Sequence, residues 1–214
     1  MIFVFDMDGV ILKTNLLKHD AMLSLVGQGF ADRQSVSQYI LKSGGIRRDE
    51  KLAHILEVFL RHKVTPSLLS TYLERYADKL EFLLADAPMI EGVAKFLSDT
   101  QSPCYVCSSA PEHEVESQLV RRNLRRHFSA VYSSQTPKAE ALLEIQRLHP
   151  SAPIVFFGDA IADQAAAALA QVAFVGVTAE HNNFVESNAV TIHDFSSPEE
   201  LARAKVAALA NIAP

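Results

Sequence analysis

Ile2-Phe3-Val4-Phe5-Asp6-Met7-Asp8-Gly9-Val10 is a short, uniformly apolar run that stops at two acids and a glycine. Four consecutive apolar residues suit a strand covered on both faces, as in a parallel sheet packed between helices. Asp6 and Asp8 lie two apart, so on an extended chain both point to the same side and can address one ligand. Gly9 lets the backbone turn away at once. The carboxyl edge of an open parallel sheet is where such proteins bind ligands. A pair of acids merely capping a strand toward water is the alternative. A calcium loop is excluded, because the glycine falls at the fourth position and Leu17 stands where a bidentate glutamate belongs.

Further short apolar runs follow at Tyr105–Cys107, Ala130–Tyr132, Ile154–Phe157, Ala173–Val177 and Ala189–Ile192. Helical patterns separate them, at 92–99, 112–126, 138–148, 161–171 and 198–211. Strand–helix alternation of this kind predicts a doubly wound, mostly parallel α/β sheet with helices on both faces. Residues 14–86 break the rhythm with helical periodicity and no credible strand. Leu52, Ile55, Leu56, Phe59 and Leu60 trace one helix face. Thr65-Pro66 starts another helix, with Leu69, Leu73, Tyr76 and Leu80 as its stripe. Gly44-Gly45 separates these from the earlier helices. The expectation is an α/β core of residues 1–13 and 87–214, with a small all-helical segment, 14–86, inserted after the first strand.

A second acid pair, in Gly158-Asp159-Ala160-Ile161-Ala162-Asp163, stands just past Ile154–Phe157. Asp163 is one helical turn beyond Asp159, on the same face. Acids in a first turn also suit the helix dipole, which is the plain structural reading. Four carboxylates converging on one sheet edge would repel unless a cation bound them, and hard oxygen ligands suit Mg²⁺. Ser108 and Ser109 follow the run ending at Cys107, just before a helix start at Pro111-Glu112, where hydroxyls and free N–H groups cradle an anion. An N-cap serine is the alternative there. Lys138 follows Thr136-Pro137, in a first turn. A cation there opposes the macrodipole by ~0.3–1 kcal/mol, so it needs an acidic site or a bound phosphate as compensation.

These elements, in order, resemble the four motifs of the haloacid dehalogenase-like hydrolases: D-x-D-G-V at Asp6 to Val10, Ser108, Lys138, and G-D-x-x-x-D at Gly158 to Asp163. The match spans essentially the whole chain, and 14–86 resembles that family's small helical cap over a Rossmann-like core. The resemblance implies that Asp6 attacks phosphorus to form an aspartyl-phosphate, and that Asp8 serves as general acid and then base. It implies Mg²⁺ held by Asp6, Asp159 and the backbone carbonyl of Asp8, with Asp163 as ligand or support. Ser108, with Ser109 beside it, and Lys138 would bind phosphoryl oxygens. An acid at position 8 separates phosphatases and mutases from the dehalogenases. Lys13-Thr14 stands where many relatives carry Asp-Ser. Arg48 and Lys51, in Ser43-Gly44-Gly45-Ile46-Arg47-Arg48-Asp49-Glu50-Lys51, are candidates to reach an anionic substrate across the cleft, the alternative being an exposed charge cluster at a helix start.

The expected partner is a small phosphorylated metabolite such as a sugar phosphate, hydrolysed as a monoester. A phosphomutase and a non-catalytic phosphate sensor are the rivals. A net charge of −5 argues against nucleic acid. The basic run Arg121, Arg122, Arg125, Arg126 reads as a solvated helix end. Cys104 and Cys107, three apart on a strand, should point to opposite faces and pack in the core rather than bind metal. No apolar run approaches the ~18 residues of a membrane span, and the short first run meets acids at once, so a cytoplasmic protein without an assigned oligomeric state is expected. The H-E-x-x-H, G-x-S-x-G, P-loop and G-x-G-x-x-G patterns are all absent.

Overall fold

A computed structural model describes residues 1–184 and 189–211. Six strands form one sheet, β1 Ile2–Phe5, β2 Cys104–Cys107, β3 Ala130–Tyr132, β4 Ile154–Gly158, β5 Ala173–Val177 and β6 Val190–Ile192. Their spatial order is β3-β2-β1-β4-β5-β6, and every pairing is parallel. This is the doubly wound order in which the chain starts at the centre, builds to one side and then returns to build the other.

The two faces of the sheet are written in alternate residues. Phe3 and Phe5 of β1, Cys104 and Val106 of β2, and Val155 and Phe157 of β4 enter one hydrophobic cluster. Ile2, Val4, Tyr105, Cys107, Ile154 and Phe156 enter the other. The two thiols therefore diverge, as their spacing requires, and each is buried and free. Helices α5 Val93–Asp99, α6 Glu112–Arg121 and α9 Pro198–Ala210 cover the first face, and α7 Lys138–Leu148 and α8 Ile161–Ala170 the second. Phe5 stacks on Phe157 at 5.2 Å between ring centroids, under Phe96, Phe128 and Phe195.

Between β1 and α5 the chain forms α1 Asn15–Leu23, α2 Arg33–Lys42, α3 Arg48–His54 and α4 Pro66–Ala85. They share a cluster of their own, including Met22, Val36, Leu52, Tyr76 and Leu80. The periodic face begun by Leu52 continues from α3 into a π-helical turn, Ile55–Phe59. Thr65 caps α4 by accepting from the Leu68 N–H, and Pro66 sits at its first position. The outgoing and returning chains run side by side, Lys13 N donating to Pro88 O and Ile90 N to Ile11 O.

The basic run departs from its expected solvated role. α6 stops at Arg121, and Asn123 takes a positive φ of 57° that ends the helix before Arg126. Arg122 then donates to Leu84 O and Ala87 O, which ties the returning chain to α6. Arg125 grips Glu116 and the Phe128 carbonyl. Among the described residues no helix is long and apolar enough to cross a membrane.

Candidate active site

The strand order reverses between β1 and β4, and the crevice at their carboxyl ends collects the acids. Phe5 pairs with Phe157, so Asp6 and Asp159 emerge side by side, with Asp6 N donating to Phe157 O. Carboxylate oxygens of Asp6, Asp159 and Asp163 lie within 4.8 Å of one another, and all three residues are buried. At Gly158 a Cβ would come within 2.4 Å of the Asp163 Cβ, so only glycine lets the acid pack this close. Asp163 spends Oδ2 on the N–H groups of Asp159 and Ala160, closing the first turn of α8, and Oδ1 on Lys138.

Lys138, at the start of α7, places Nζ 2.8 Å from Asp6 Oδ1 and 2.5 Å from Asp163 Oδ1. Burial disfavours its charge, but the two carboxylates outweigh that and hold the ammonium well above its ordinary range. One cation does not satisfy three acids. Burial pushes Asp6 up to about 7 against the pull of Lys138, with Asp163 and Asp8 adding repulsion. Asp159 is likewise raised well above its ordinary value, first by burial and then by Asp6 and Asp163, while its hydrogen-bond partner is the neutral amide of Asn15 at 2.6 Å. Crowded, under-neutralised carboxylate oxygens fit a divalent, oxygen-seeking ion.

Asp8 stands apart from that trio. Its Oδ1 accepts from Thr14 Oγ1 at 2.5 Å and its Oδ2 from Lys18 Nζ at 2.7 Å. Burial opposes ionisation, yet Lys18 and the Thr14 hydrogen bond prevail and hold the carboxyl below its ordinary range. Ser108 is buried past the end of β2, its hydroxyl accepting from Ala110 N. Ser109 faces the cleft and donates to Gly45 O at 2.7 Å.

The helical segment roofs a cavity of about 100 Å³ over this floor. Gly45, at φ +76°, sits so close to α8 that a Cβ would lie 2.6 Å from Ala162 Cβ. That approach seats α3 above the acids, and Arg48 and Lys51 both line the cavity. The structure thus brings Asp6, Asp8, Ser109, Lys138, Asp159, Arg48 and Lys51 to one cavity, with Asp163 directly behind Lys138.

The sequence profile of haloacid dehalogenase-like hydrolases matches residues 3–177. The chain belongs to this family. Among solved structures, a protein described as a predicted phosphoglycolate phosphatase from Haemophilus somnus aligns with a TM-score of 0.75 at 18% identity, over 94% of this chain and 97% of its own. CbbY from Rhodobacter sphaeroides, in complex with phosphate, gives 0.72 at 18% identity over 94% and 98%. A Thermotoga maritima protein described provisionally as a β-phosphoglucomutase gives 0.67 at 21% identity over 96% and 98%. At such identities the likeness is one of fold. No curated protein sequence matches the chain.

Several residues of this haloacid dehalogenase-like hydrolase meet the site without a motif to announce them. Thr14 is the residue whose hydroxyl donates to Asp8. Asn15 reaches Asp159, and Asn183 donates to Leu41 O and Lys42 O from across the cleft. Glu114, in the first turn of α6, accepts from both Lys18 at 2.7 Å and Arg48 at 2.5 Å. Acidic residues in a first turn are ordinary, so only a contact 66 to 96 residues away distinguishes this one.

Proposed function

We propose that the protein is a Mg²⁺-dependent phosphatase that hydrolyses a small phosphate monoester through an aspartyl-phosphate on Asp6. The observation that carries this reading is the placement of Asp6 and Asp159 on adjacent strand ends, crowded with Asp163 around the single ammonium of Lys138. A bound Mg²⁺ would supply charge neutralisation at the phosphoryl oxygens and at these acids, with Asp6, Asp159 and the Asp8 backbone carbonyl as its holders. Asp163 already commits both oxygens, so its part is to orient Lys138. Residues 1–13 and 87–214 form the catalytic core, and 14–86 act as the cap that excludes water.

Asp6 attacks phosphorus as the ester P–O bond breaks, and Asp8 gives its proton to the departing oxygen. Asp8 then takes a proton from water as that water attacks the aspartyl-phosphate, releasing phosphate and restoring Asp6. Lys138 and the Ser108 hydroxyl bind phosphoryl oxygens, Ser109 lying beside them. As it stands, Asp8 is ionised beside Lys18 and ready for the base half of the cycle. The acid half requires Lys18 to loosen toward Glu114, which already shares its ammonium.

The test is phosphate release from a panel of phosphorylated metabolites and 4-nitrophenyl phosphate, with Mg²⁺ or with a chelator. Chelation should lower the rate by at least ~100-fold, and Mg²⁺ should restore it. Turnover without any divalent ion, or none across the panel, contradicts the proposal. A mutase, the activity in the description of the Thermotoga maritima protein, would instead isomerise a sugar phosphate and depend on a bisphosphorylated one.

A further inference from the structure

We propose that the substrate carries, besides the transferred phosphoryl group, a second anionic group, a carboxylate or a second phosphate, held by Lys51. This rests on the phosphatase reading and names the class of ester within it.

Four cations line the cavity, and three are already answered. Lys138 lies between Asp6 and Asp163. Lys18 lies between Asp8 and Glu114. Arg48 pairs with Glu114 and rests over the Tyr76 ring, 5.3 Å from its centroid. The Lys51 ammonium has no hydrogen-bond or ion-pair partner among the described residues, although the residue is half-buried within the roof. Burial pushes its ammonium down to about 8; Asp8 and Asp159 favour the charge, while Lys18 and Lys138 oppose it.

An ammonium taken partly out of water without a counter-ion is costly, and an exposed lysine on a short helix would normally swing its tip into solvent. Lys51 instead sits one helical turn after Arg48 on α3, over the floor where the phosphoryl group would lie. Gly45 fixes α3 in that position against α8. An anion at the far end of a compact ester would meet Lys51 and supply the missing partner.

The experiment compares three two-carbon probes that differ only at the distal end: 2-hydroxyethyl phosphate, 2-phosphoglycolate and ethane-1,2-diol bisphosphate. Wild-type kcat/KM should favour one or both anionic probes over the neutral one by roughly 10- to 100-fold, mainly through KM, as a charge-assisted hydrogen bond would give. Which anionic probe leads separates carboxylate from phosphate. Lys51→Met should collapse the ratio to about one, and Lys51→Arg should restore part of it. Equal handling of neutral and anionic probes by the wild type overturns the proposal without recourse to any variant. So does a Lys51→Met enzyme that keeps the preference. Phosphate release from none of the three, nor from 4-nitrophenyl phosphate, overturns the underlying phosphatase reading and this inference with it.

Discussion

Asp6→Asn should lower the rate of phosphate release by ~10⁴-fold or more while the protein remains folded. The amide matches the carboxylate in shape, so packing against β4 is kept. What is lost is the oxygen able to attack phosphorus, and no neighbouring group can replace it. Asp8 is turned to Thr14 and Lys18, and Asp159 is bonded to Asn15. Removing one negative charge also relieves Asp159 and Asp163, and Lys138 keeps Asp163 as partner. In the absence of divalent ions the variant should therefore melt at or above the wild-type temperature. Rates on 4-nitrophenyl phosphate and a thermal melt check both halves. An inactive variant that is also unfolded would mean that Asp6 is structural, and an active one would remove it from the nucleophile's role.

Lys138→Met carries the largest expected effect on stability. The side chain is only 8% exposed, and its ammonium stands between two buried carboxylates. Methionine fills a similar volume but leaves Asp6 and Asp163 facing one another with no counter-charge, and removal of one member of a buried ionic set costs ~3–5 kcal/mol. In a chain of this size each kcal/mol moves the melting temperature by about 2–4 °C, so a fall of roughly 10 °C is expected. Turnover should fall with it, since a phosphoryl contact is lost. The second substitution Asp163→Asn in the same background should return part of the stability, because the two side chains share one interaction and their effects do not add. Urea midpoints at unchanged m-value measure this. A loss under ~1 kcal/mol would show that the acids are kept apart by something other than Lys138.

The strands were legible because a parallel sheet buried on both faces leaves uninterrupted apolar runs, and β1, β3 and β5 have the bounds read from sequence. The alternation within those runs also placed Cys104 and Cys107 on opposite faces. Lys138 was legible for a different reason: a cation in a first turn is locally unfavourable, and such conflicts point to a compensating site. Periodicity tells which face of a helix is buried, but not what a polar side chain will meet. Lys18 finds Glu114 across 96 residues, and Asn15 finds Asp159 across 144. No local pattern encodes either pair. The same gap explains Arg122, whose neighbours in sequence suggested a solvated helix end, whereas its partners are carbonyls 35 and 38 residues earlier.

The assembly of Asp6, Asp8, Lys138 and Asp159 around one phosphoryl group is tested most directly by acid-quenching the enzyme during turnover of a phosphate monoester and mapping the phosphorylated peptide by mass spectrometry. One phosphoryl group is expected on the tryptic peptide Met1–Lys13, with fragmentation assigning it to Asp6, and none on that peptide from Asp6→Asn. A phosphoryl group on any other residue, or steady turnover by Asp6→Asn, would contradict it.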